Sequence, residues 1–122
     1  MTATLSVSPT LCDRNLPHDA RQSLFGGQGV VRVWSLATTP ALPFTAVLAC
    51  ELDPSGSVGT HVQEQYPEIV IAIVGRGIVR VNDVPVAFEA GRVVELALGH
   101  TLAISNASNT EPLLYLIIKA RA

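Results

Sequence analysis

"THVQEQYPEIVIAIVGRG", residues 60 to 77, decides how the rest of the chain is read. A histidine, a glutamine and a glutamate lead into an unbroken apolar run that closes on Gly75-Arg76-Gly77. Such a run is rich in β-branched residues and bounded by glycines, so it predicts a strand that ends in a turn. If His61 and Gln63 point inward, the two-residue period of a strand puts Glu68, Val70, Ala72 and Val74 inside with them. Ile69, Ile71 and Ile73 then face outward. Three polar side chains therefore share an interior with small aliphatic ones, which is the pattern of a site inside a β-structure.

The same rhythm continues on both sides of this stretch. Short runs such as "VVRVWSL", "FTAVLACEL", "GIVRV", "RVVELAL" and "PLLYLIIKA" alternate with Gly, Pro, Asn and Asp, and Val, Ile and Thr are abundant. Nowhere does a window of helical length carry a 3.6-residue apolar stripe. The spacing predicts an all-β chain of nine short strands, closed as a β-barrel or jelly roll. Residues 1–24 mix Ser, Thr, Pro, Asp and Arg without period and read as an arm, mobile or docked on a partner subunit. Residues 25–122 read as one barrel domain.

Composition narrows the partners. The chain has 122 residues, eight Lys and Arg, ten Asp and Glu, and a net charge of −2, with no basic run. That balance argues against nucleic acid as a partner. The first residues lack the basic and apolar regions of a signal peptide, so the reading is a cytoplasmic protein. Residues 33–50 are uncharged but broken by Pro40 and Pro43. They suit two strands and a turn better than a membrane span, and no membrane partner is expected. Cys12 and Cys50 stand far apart, outside any CxxC spacing, and signal neither a disulfide framework nor a thiolate metal site.

Two motifs resemble those of the cupin superfamily, small jelly-roll (double-stranded β-helix) barrels whose metal site is spread over two strands. The first family motif is a glycine, five residues, His-x-His, three or four residues, a glutamate, six residues and a glycine. His61, Gln63, Glu68 and Gly75 keep every interval after the first glycine, and Gly56 is one residue out of place. The second family motif is a glycine, five residues, Pro-x-Gly, two residues, a histidine, three residues and an asparagine. Gly91, Gly99 and Asn106 fall at those intervals, while Ala97 replaces the proline and Leu102 the histidine. The resemblance spans roughly residues 28–120 and implies the cupin fold, a ligand-holding barrel and one divalent metal ion (Fe, Mn, Ni or Zn).

Residue by residue, His61 matches the first metal histidine and Glu68 the carboxylate. Gln63 offers only a neutral amide oxygen, a poorer donor to late first-row metals than imidazole. Leu102 offers nothing. His100, two residues before Leu102, is the remaining candidate: a bulge at Gly99 brings its ring towards His61 and completes a two-histidine, one-carboxylate set. Without the bulge His100 stands at the barrel mouth, as a general acid or base or as a hydrogen-bonding residue. Glu68 and His100 are thus the catalytic candidates, and His61, Gln63, Glu68 and His100 the ligand-binding or metal-binding ones. Besides a structural or regulatory subunit whose dimerisation face matters more than its pocket, two functional readings stay open. One is a small-molecule-binding cupin with a degenerate metal site, in which the polar residues satisfy one another or a ligand. The other is a metal-dependent oxygenase, isomerase or cyclase. Of the remaining residues, Glu64, Gln65, Tyr66, Arg80 and Glu95 read as solvated, and Trp34 as core or cavity lining. The outward isoleucines and the apolar "LLYLIIK" predict a homodimer that covers this face, with cover by the arm alone as the alternative.

Overall fold

The computed structural model describes residues 11–37 and 41–121. Its strands are β1 (Asp19–Gln22), β2 (Val30–Ser35), β3 (Phe44–Leu52), β4 (Ser57–Val62), β5 (Glu68–Val74), β6 (Arg76–Val81), β7 (Val84–Glu89), β8 (Val93–Leu96), β9 (Thr101–Asn106) and β10 (Leu113–Ala120). They form a six-stranded sheet in the order β1-β2-β3-β10-β5-β8 and a four-stranded sheet in the order β4-β9-β6-β7. This is the all-β jelly roll that the sequence predicts. All nine predicted strands are present, because each alternating run buries one face.

Inner-face residues of both sheets merge into one core. Leu52, Val70, Val79, Phe88 and Leu113 are each fully buried. The β5 alternation is as read for Glu68, Val70 and Ala72, which are buried, and for Ile69, which is 37% exposed. Val74 departs from it. In the β10–β5 ladder Ala72 faces Tyr115 and Val74 faces Leu114, leaving Ile73 as an extra residue. The bulge turns Val74 to the outer face, where it is 51% exposed.

The described part of the arm lies against its own chain. Asp19–Gln22 adds an edge strand to β2, with Arg21 opposite Val31 and Asp19 opposite Val33. Further out, the Arg14 guanidinium donates to Glu51 at 2.9 Å, and the Cys12 thiol lies 3.7 Å from the Cys50 carbonyl. Trp34 sits on the outer face, where its Nε1 donates to the Asp13 carbonyl at 2.8 Å and its ring stacks on His18. A buried indole needs a partner for its N–H, and the arm supplies both partner and cover. Residues 1–10 lie outside the described residues. No helix of the described residues is long and apolar enough to cross a membrane.

Candidate functional site

Strand β4 carries His61 and pairs with β9 so that His61 stands directly opposite Leu102. Where a second imidazole would meet the first, the structure has a leucine that is 1% exposed. The ring of His61 is held from two sides. Its Nδ1 lies 3.1 Å from the Gly59 carbonyl. A carbonyl only accepts, so Nδ1 carries the proton and the neutral ring keeps its lone pair on Nε2. Phe25 stacks on the ring, with centroids 4.1 Å apart and planes 12° from parallel.

Glycine makes this stack possible. A Cβ on Gly59 would stand 1.8 Å from the Phe25 carbonyl, so the short 3-10 turn Leu24–Gly26 can cross β4 only at a residue without a side chain. Phe25 itself has φ 52°, a left-handed conformation that costs a bulky residue on the order of 1 kcal/mol or more. The aromatic stack and the Gly26 N–H to Ser23 carbonyl bond hold it there.

Glu68 opens β5 and stands opposite Lys119 of β10 on one side and Leu96 of β8 on the other. Burial pushes its carboxyl above the ordinary range, and Lys119, His61 and the Gln63 amide pull it back in that order of strength. The Gln63 effect falls short of a hydrogen bond. Its side chain is 4% exposed and its Nε2 has no partner among the described residues. Gln63 is fixed by its backbone instead, which bonds to His100 O and Gly99 N at 3.0 and 2.9 Å.

Those same bonds settle His100. Gly99, at φ 85°, makes a turn that His100 N closes on the Ala97 carbonyl, and Gly99 and His100 together oppose the single residue Gln63, which is the bulge expected at Gly99. The ring folds back on the turn, with Ala97 N–H donating to Nδ1 at 3.2 Å. It faces an open cleft of about 480 Å³ on the outer surface, bordered by Phe44, Glu95 and Ile118. His61 borders a different space, and Glu68 is the polar residue common to both. Completion of the metal set by His100 is therefore corrected: the bulge is present, but it breaks the two-residue alternation that joins Leu102 to His100, and the Ala97 N–H holds the His100 ring on a different space from His61.

A metal ion can be tested against these donors. Among the described residues no three His, Cys, Asp or Glu side chains converge. What remains is one imidazole, one carboxylate that burial drives towards its neutral form, and one amide. That set does not fit a transition-metal centre of the kind the family motif implies.

Behind His61 lies a cavity of about 130 Å³. Its floor is buried and apolar, from Val33, Val58, Leu102 and Ile104, with Cys50 and Tyr115 side by side on β3 and β10. Burial pushes the Cys50 thiol up to about 12 and the Tyr115 hydroxyl well above its usual value, so both face the cavity uncharged at neutral pH. Its mouth is polar, formed by His61, Glu68, Arg21 and Lys119 under the edge of Phe25. Sequence reasoning missed Arg21 and Lys119. Counting by twos from Tyr115 puts Ile117 and Lys119 inward, a signal present in "LLYLIIKA"; nothing in the arm's sequence marks Arg21. Glu64, Gln65, Arg80 and Glu95 are solvent-exposed and Tyr66 is 36% exposed, as read.

No family model and no curated protein matches this sequence. Solved structures do. A Cupin 2 conserved barrel domain protein from Salinispora arenicola is 26% identical, with 98% of this chain and 91% of that one aligned at a TM-score of 0.70. The chain belongs to the cupin superfamily. A predicted oxalate decarboxylase from Thermotoga maritima superposes at a TM-score of 0.82 over 93% of this cupin and all of its own length, at 24% identity. The cupin domain of Schizosaccharomyces pombe Cnp3 superposes at 0.69 over 85% and 69% of the two chains, at 15% identity. Likeness at those identities concerns the fold alone, and names this varied show that the barrel does not dictate the chemistry.

Ser55 occupies the position of the first motif's missing glycine, at φ 57°, and its N–H donates to the Ser108 carbonyl at 2.8 Å. The turn geometry of the motif is kept without its glycine. Asn106, the last residue of the second motif, ties two turns together. Its Nδ2 lies 3.3, 3.0 and 2.8 Å from the carbonyls of Leu52, Asp53 and Glu111, and its Oδ1 accepts from Ser108 N–H at 2.9 Å.

Proposed function

We propose that this cupin binds a small organic molecule in the barrel cavity, with its apolar body on Val33, Leu102 and Ile104 and its polar group at the His61–Glu68 mouth. The observation that carries this reading is the space behind His61, which has a buried apolar floor of Val33, Val58, Leu102 and Ile104 and the polar side chains of His61 and Glu68 at its opening. A dry engineered cavity of roughly 150 Å³ holds benzene, so a space of about 130 Å³ suits a body of that size. The metal-enzyme reading retains two donors, His61 and Glu68, with Gln63 as a weak third, and lacks the observation that would favour it.

Toluene tests the cavity directly. Titration is expected to shift the methyl resonances of Val33, Leu102 and Ile104 and to leave those bordering the outer cleft, such as Ile118, in place. Leu48→Phe, which fills the lining, should abolish the response. Shifts confined to the cleft would contradict the reading.

Assembly belongs to the same proposal. The described arm covers β2 and β3, so the outer isoleucines of β5 are left without cover by residues 11–24, and Ile69 is 37% exposed. A second copy of the chain on that face gives a homodimer. Light scattering at micromolar concentration should show twice the chain mass; a monomer would remove the claim.

A further inference from the structure

The mouth of the cavity has a charge preference. Two cations line it from one sheet, Arg21 from the edge strand β1 and Lys119 from β10, with β2 and β3 between them, against the single carboxylate of Glu68. Lys119 faces Glu68 in register, yet makes no ion pair with it or with any other acid among the described residues. Arg21 pairs with Asp19 at 3.3 Å, but both side chains are solvated, 48% and 73% exposed. A pair of that kind contributes little, and its guanidinium can turn to a better partner. Arg21 is also close enough to the cavity floor to pull on the Cys50 thiol. His61 adds a ring nitrogen that accepts when neutral and donates when charged. No acidic side chain besides Glu68 lines the space.

We infer that the ligand of this cavity is a small organic anion, a carboxylate on an apolar body of about benzene size, held at the mouth between Arg21 and Lys119. The inference rests on the small-molecule reading above and adds the chemical class. Charge-assisted hydrogen bonds to a carboxylate are roughly twice as strong as neutral ones. The carboxylate also meets a guanidinium fork that can bind it through two N–H groups. The floor supplies no competing charge, since Cys50 and Tyr115 are neutral.

Three probes separate the outcomes: benzoate, benzamide and toluene, each titrated against the full chain with the cavity methyls as readout. Benzoate should bind about tenfold or more tighter than benzamide at low salt, and lose most of that margin at high salt. Lys119→Met and Arg21→Gln should each weaken benzoate about fivefold or more while leaving toluene unchanged. Unchanged toluene binding shows that a variant is folded and its cavity intact. Equal affinity for benzoate and benzamide, or benzoate binding indifferent to both substitutions, would overturn the anion assignment while leaving the cavity reading in place. If toluene also fails to reach the cavity methyls, the cavity reading itself falls.

Discussion

Two buried amides, one in each motif, are used in opposite ways. Asn106 is 7% exposed and fully engaged, its Nδ2 facing three backbone carbonyls and its Oδ1 one N–H. Gln63 is 4% exposed and its Nε2 completes no hydrogen bond among the described residues. The first amide is spent on architecture: it joins the end of β3 to the turn before β10. The second sits beside Glu68, which borders the cavity while Gln63 itself does not, and keeps a donor unmet. A side chain buried equally deep can thus be a strut or stand idle, and its hydrogen bonds tell which.

The largest consequence concerns Asn106. Asn106→Ala removes a donor shared by three carbonyls, of which Asp53 keeps the Gly56 N–H, and the acceptor of the Ser108 N–H, and is expected to cost about 2 kcal/mol or more in urea denaturation. A loss below about 1 kcal/mol would mean that these bonds do not anchor the turns. Glu68 gives a smaller and pH-dependent effect. Burial raises its carboxyl above the ordinary 4.5, so the folded chain holds the proton more tightly than the unfolded one. Below 4.5 the group is neutral in both states and costs nothing. As pH rises through that value and on through the raised one, the folded state is penalised for ionising it, and stability falls. Melting curves of wild type and Glu68→Gln should therefore coincide near pH 4 and separate by neutral pH, with the variant the more stable. A difference of opposite sign would show that Lys119 and His61 overcome burial. Smallest of all is Gln63→Leu, which removes an unpaired donor; its stability should stay within about 1 kcal/mol of wild type or rise. A loss as large as that of Asn106→Ala would erase the contrast between the two amides.

Much of this was legible in the sequence. The alternation of "EIVIAIV" places Glu68, Val70 and Ala72 on the inside because a strand has no other way to hide one face. The intervals linking Gly91, Gly99 and Asn106 survive because they specify turns and a carbonyl clamp. What escaped is what depends on departures from a straight strand. Val74 flips at a bulge, and His100 lies outside β9 because the Gly99 turn closes on Ala97. Arg21 was invisible because its strand is short, polar and paired only at one edge, so no pattern of burial marks it. Phe25 reaches His61 only through the left-handed turn above Gly59, a contact between segments that local sequence does not encode.

The central claim is that the polar residues of the mouth serve a ligand and no longer form a transition-metal centre, because Leu102 stands opposite His61 and His100 turns away. Metal bound per chain tests this most directly, measured on tag-free protein after equilibration with Zn²⁺ and Fe²⁺, beside the Gln63→His plus Leu102→His variant. Wild type is expected to retain less than about a tenth of an equivalent, while the variant, with three imidazoles and a carboxylate at family spacing, approaches one. Near-stoichiometric metal on the wild type that disappears in His61→Ala would contradict the account.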